Sequence, residues 1–180
     1  NCGLEMFDLL KELNEEIKDH ELPELKIGVG INSGDVVVGN MGSEQRFDYT
    51  CLGDAVNLSS RLEGQTKEYG VGLIAGHGTV KGIEDRFNFI ELDMIAVKGK
   101  SEGVRIFTVL EDGVNVSHHN KFLELYRTRK WTAALKLLEL NIITYPYLAR
   151  YYNMMEERIY LLKKSKLGSD WDTIYRATSK

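Results

Sequence analysis

The spacing of apolar residues switches between helical and strand periods several times within the first 110 residues, and this restricts the chain to a mixed architecture. Leu4, Phe7, Leu10, Leu13 and Ile17 recur at helical spacing, with charged residues between them, until Pro23 breaks the pattern. Leu25 to Asn32 alternates and is rich in β-branched residues, which predicts a strand. A turn at Ser33-Gly-Asp35 then predicts a hairpin with Val36-Val-Val38, followed by a loop from Gly39 to about Tyr49. Ala55, Leu58 and Leu62 give a helix from Asp54 to about Gln65, with Gly64 near its end. Val71–Ala75 reads as a strand, Thr79–Asp85 as a short helix, and Phe87–Val97 with Val104–Leu110 as a closing strand pair. The expected fold is α+β, a mixed sheet with helices packed on one face.

A different pattern begins after a polar, turn-prone stretch at 112–119, read as a linker whose His118 and His119 are solvated. Phe122, Leu125 and Tyr126 start one amphipathic helix, Trp131, Ala134, Leu135 and Leu138 a second, and Leu148, Tyr151, Tyr152, Met155 and Ile159 a third. Tyr126, Trp131 to Ala134 and Tyr145-Pro146 resemble one tetratricopeptide-like repeat. A single repeat cannot bury its own face, so this appendage, 120–180, is expected to pack on the preceding domain or a partner.

Composition narrows the functional classes. With 43% hydrophobic and 28% charged residues the chain can bury a core, and its net charge of −4 offers no attraction to nucleic acid. No apolar run approaches the length of a membrane span. Cys2 and Cys51 are two lone thiols rather than a disulfide framework, which points to a reducing, cytoplasmic setting. An N-terminal membrane sensor in a longer parent is compatible with this reading.

Asn57 and Arg61 lie four apart on the predicted helix and therefore share a face. An amide can fix a hydroxyl or ring oxygen, and a guanidinium offers a planar fork to phosphate oxygens. On spacing alone, two solvated surface residues are the better account. Their context is more specific. Phe47-Asp-Tyr-Thr50 runs into Gly53-Asp-Ala-Val-Asn-Leu-Ser-Ser-Arg-Leu-Glu63. Upstream, Ile27-Gly-Val-Gly-Ile-Asn-Ser-Gly34 leads to Val38-Gly-Asn-Met-Gly-Ser43, and downstream stands Val97-Lys-Gly-Lys100. These ordered blocks resemble the catalytic domain of class III nucleotide cyclases across residues 1–111. Asp170 to Lys180 also resembles the end of many bacterial multidomain cyclases, without a physical reason visible in the sequence.

The resemblance implies a ferredoxin-like mixed sheet and an adenylate cyclase, which converts ATP to cyclic AMP and pyrophosphate. It implies that Asn57 orients the ribose, Arg61 stabilises charge on the α-phosphate, and Lys98 holds the β- and γ-phosphates. Thr50 occupies the base-selecting position, where it favours adenine. Asp48 and Asp54 fall outside the family's metal positions and are expected in loop and helix-cap roles.

The family binds two divalent ions, Mg2+ or Mn2+, through two aspartates on strands near the start of the domain. Neither strand motif occurs in this chain, so it is expected to begin after them and to contain no metal ligands. In the family, two catalytic domains pair head to tail and share each site. The expected partner is accordingly a second cyclase subunit, with strand exchange as one way to cover an exposed sheet edge. The fragment alone is expected to be inactive. The alternative is a non-catalytic dimerisation, nucleotide-binding or regulatory module on the same fold.

Overall fold

The computed structural model describes all residues except 44–45, 97–102, 166 and 177–180, and only the backbone of 43, 46 and 47. Helix α1 (Cys2–Lys18) precedes strand β1 (Val29–Ile31) and an antiparallel ribbon of β2 (Val37–Ser43) and β3 (Arg46–Leu52). Helix α2 (Asp54–Tyr69), strand β4 (Leu73–Gly76), a single helical turn α3 (His77–Val80) and strands β5 (Asn88–Ala96) and β6 (Val104–Leu110) follow. Helices α4 (Ser117–Arg127), α5 (Trp131–Thr144) and α6 (Ala149–Lys164) lead to a two-residue strand, β7 (Tyr175–Arg176).

The main sheet runs β1-β4-β6-β5-β7, parallel at both ends and antiparallel between, which makes it mixed as expected. Several local expectations are corrected. The strand at 25–32 forms no hairpin with Val36–Val38: only Val29–Ile31 is strand, and it pairs in parallel with Leu73–Ala75. Val37 instead opens the ribbon opposite Leu52, so much of the expected loop at 39–49 is β structure. Pairing with the aromatic and β-branched β3 overrides the weak strand propensity of Gly39-Asn-Met-Gly42. Asp48 consequently lies in a strand rather than a loop. Helix α2 runs past Gly64 because Leu62, Thr66 and Tyr69 continue its buried stripe. Its terminator is Gly70, which has φ 67° and caps the helix in the left-handed conformation. The short helix expected at 79–85 is one turn at 77–80.

Helices cover both faces of the sheet rather than one. On one face, Leu58, Leu62 and Tyr69 of α2 join Ile90, Leu92 and Ile106 of the sheet. The same core continues into Phe122, Leu138, Tyr151, Tyr152 and Ile159 of the last three helices. Those helices therefore pack on the sheet. On the other face, Leu4 and Phe7 of α1 meet Leu73, Ala75 and Phe107, yet α1 buries none of its residues. The stretch before α4 is also tied down: Asn88 Nδ2 donates to the carbonyls of Glu111 and Val114, and Tyr145 Oη donates to that of Asn115.

The closing segment folds back over this assembly. Trp171 packs edge-on against Tyr126 and Trp131 and lies under the Arg129 guanidinium. Asp172 accepts from the Ile174 backbone N–H and pairs with Arg176, and Tyr175 then aligns with Ile95. These contacts give the closing motif, unexplained from sequence, a packing role.

Candidate active site

The placement of α2 follows from the Gly28-x-Gly30-x-Asn32 alternation. Residues two apart in a strand face the same way, and here that side meets α2. A Cβ on Gly30 would lie 2.2 Å from the Ser59 carbonyl oxygen and 2.3 Å from the Glu63 nitrogen, and one on Gly28 2.3 Å from Thr66 Oγ1. Only glycine permits so close an approach of helix to strand. Ser59 Oγ donates to the Gly30 carbonyl at 2.7 Å, and Asn32 Nδ2 donates to that of Ala55 at 3.3 Å. Ala55, Ser59, Glu63 and Thr66 thus form the strand-facing side.

Each helical residue turns about 100°, so Asn57 and Arg61 project from the opposite side, and both are exposed. The two residues thus share one exposed face of α2. Asp54 occupies the first turn of α2, where a carboxylate complements the helix dipole. Thr50 is exposed on β3, directly opposite Gly39. Its cross-strand neighbour has no side chain to crowd its hydroxyl. The ribbon then enters α2 through Gly53, whose carbonyl accepts from the N–H groups of Val56 and Asn57. Lys98 lies outside the described residues.

The ribbon and its approach are apolar and uncovered: Val36, Val37, Val38, Tyr49 and Leu52 are all exposed, Tyr49 at 77%. Among the described residues, no three His, Cys, Asp or Glu side chains assemble as a metal ligand set. Among them, too, no helix is long and apolar enough to cross a membrane.

Charged chemistry missed by the sequence reading joins β5 and β6 to α2, α4 and α6. Asp93 on β5 pairs with Arg158 of α6 and accepts from Tyr69 Oη at 2.6 Å. Burial opposes the Arg158 charge, but Asp93 outweighs it and holds the guanidinium above its ordinary range. Glu91 pairs with Arg105 and Arg127. Burial pushes its carboxyl up, and the two guanidiniums overcome this and hold it low.

His119, expected to be solvated, is fully buried. Its Nε2 donates to the Glu91 carbonyl at 2.6 Å, so the neutral ring accepts from Tyr152 Oη at Nδ1, 2.9 Å away. Burial lowers its pKa to about 4, and the nearby Glu91 carbonyl only partly opposes this. The available signal was two acids, Glu91 and Asp93, in the otherwise apolar run from Phe89 to Ala96. Buried acids require partners.

The sequence model of the adenylate and guanylate cyclase catalytic domain matches residues 1–111. The chain belongs to this family. It is 36% identical over 109 residues to adenylate cyclase 1 of Rhizobium meliloti, a match covering 61% of this chain and 16% of that protein. Identity to the adenylate cyclase of Anabaena cylindrica is 33% over 120 residues, covering 61% and 24% respectively. The chain thus spans less than a quarter of the length of either relative. Among solved structures, the adenylyl cyclase CyaB of P. aeruginosa superposes with a TM-score of 0.56 at 35% identity, covering 61% of this chain and 56% of that one. The guanylyl cyclase Cya2 gives a TM-score of 0.52 at 34% identity, covering 63% and 58%. The similar structures thus include cyclases of both named kinds.

Proposed function

We propose that this chain contributes the nucleotide-orienting half of an adenylate cyclase site. The observation that carries this reading is the exposed outer face of α2. It presents Asn57 beside Arg61 at the end of a ribbon bearing Thr50. In the proposed reaction the ribose 3′-oxygen attacks the α-phosphorus and its hydroxyl proton is released. The bond to the β-phosphate oxygen breaks and pyrophosphate leaves. Asn57 orients the ribose, Arg61 stabilises the charge that grows on the α-phosphate, and Lys98 holds the β- and γ-phosphates. Such catalysis is mostly positioning and charge stabilisation, which suits an amide, a guanidinium and an ammonium. Thr50 can donate to or accept from the base, and adenine is its assigned partner.

The metal half of the site belongs to a second subunit. The uncovered apolar ribbon, which offers a surface for another subunit, supports this assignment. Mg2+ or Mn2+, held by that partner's carboxylates, would supply charge neutralisation at the triphosphate. The chain alone should then make negligible cyclic AMP. Mixed with a cyclase subunit that keeps its metal aspartates but lacks the Asn and Arg pair, it should restore metal-dependent production. Activity of the isolated chain, or a silent mixture of folded partners, would overturn the division of roles. A non-catalytic nucleotide-binding module is the reading that a silent mixture would leave.

A further inference from the structure

Arg158 stands where four elements meet. From α6 it pairs with Asp93 of β5, and Nη2 reaches Tyr69 Oη of α2 at 3.5 Å. Its guanidinium also lies 3.8 Å from the ring centre of Tyr175 on β7. Tyr175 Oη in turn donates to Glu68 Oε1 at 2.8 Å. About two turns earlier on α6, the Arg150 side-chain carbons lie 2.6 to 2.7 Å from where a Gly70 Cβ would stand. The last turn of α2 is therefore gripped by α6 and β7 at Glu68, Tyr69 and Gly70.

A buried ion pair gives little net stability over an apolar pair of similar volume. What this one adds is direction, because the guanidinium plane fixes an acid, a hydroxyl and a ring at set angles. Arg61 is eight residues before Tyr69, about 12 Å along a helix. A pivot at the gripped end moves the outer face by a comparable angle. Displacements of about 1 Å are enough to spoil phosphoryl transfer.

We infer that Arg158 is a positioning residue for the nucleotide site: through Asp93, Tyr69 and Tyr175 it fixes the end of α2 and so the aim of Asn57 and Arg61. The inference rests on the reading of Asn57 and Arg61 as the substrate-facing pair. It gives the helices beyond residue 111 a role in the chemistry without any contact to nucleotide.

The test removes both charges at once, by Asp93→Asn with Arg158→Met, so that neither is stranded. This double variant of the 180-residue chain should melt within a few degrees of the unaltered one. Backbone amides from Arg61 to Tyr69 should exchange hydrogen at least about tenfold faster, with those of Ile106 to Thr108 unchanged. In the subunit mixture, kcat should fall about tenfold or more while KM changes less than about twofold. A folded double variant with unchanged α2 exchange and kcat overturns the inference. So does a uniform rise in exchange across the chain, which marks a purely structural role. A mixture silent even with the unaltered chain overturns the cyclase reading instead, and α2 exchange then still decides whether Arg158 holds the helix.

Discussion

Residues 1–53 and residues 54–164 solve opposite problems. In the first region no described side chain is buried, although it carries the glycine-rich strand and the ribbon of the family pattern. In the second, side chains from Leu58 to Ile159 supply both cores, together with buried Glu91, Asp93, His119 and Arg158. The first region is held through backbone approach, Gly30 against Ser59 above all, and leaves apolar surface outside. The second holds itself through interior packing and paired charges. The difference teaches that family motifs need not mark the core. Those of the first region shape surfaces, while the α2 block divides, with Leu58 and Leu62 in the core and Asn57 and Arg61 outside.

The comparison breaks most readily in the second region. Asp93→Ala leaves Arg158 buried without its carboxylate and should destabilise the chain by about 3–5 kcal/mol, read by denaturant unfolding. A loss under about 1 kcal/mol would mean that the pair behaves as an exposed one. In the first region the largest effect should come from Gly30→Ala despite its partial exposure. The added methyl meets helix backbone that cannot rotate away, and about 1–3 kcal/mol is expected. Cyclic AMP production in the subunit mixture should fall with it. A neutral, active Gly30→Ala variant would show that α2 is not seated by close approach.

His119 supplies a pH signature confined to the second region. Its folded pKa of about 4 lies below the ordinary 6.5, so the unfolded chain takes up the proton first as pH falls. The stability it contributes is complete above pH 6.5 and is lost towards pH 4. His119→Gln should flatten that part of the stability curve, measured by unfolding at successive pH values. An unchanged slope would assign the acid sensitivity to other groups. The smallest effect on folding should come from the ribbon. Val37→Glu should change monomer stability by less than about 0.5 kcal/mol yet weaken self-association in sedimentation. Equal association of both proteins would remove the ribbon from the subunit interface.

What the sequence made legible was local. The shared face of Asn57 and Arg61 follows from helical spacing, and the pairing of β5 with β6 follows from two β-rich runs across a short connection. The ribbon was hidden because Gly39-Asn-Met-Gly42 has little strand propensity of its own and is ordered by pairing. The extension of α2 past Gly64 was hidden because a glycine reads as a stop, while the burial of Tyr69 carries the helix on. Long-range partners hid the rest. His119 meets Glu91 and Tyr152 at separations of 28 and 33 residues, and Arg158 meets Asp93 at 65. No periodicity reports contacts of that range. Of the proposed site, the Asn57 and Arg61 face was readable from the start, whereas the grip on its far end was not.

The central claim is that the outer face of α2 acts on the transition state in a site completed by another subunit. Arg61→Ala, assayed in the subunit mixture, tests it most directly. Loss of a group that stabilises charge at the reacting phosphate should lower kcat by about 100-fold or more while leaving KM within about twofold. Unchanged turnover would contradict the account.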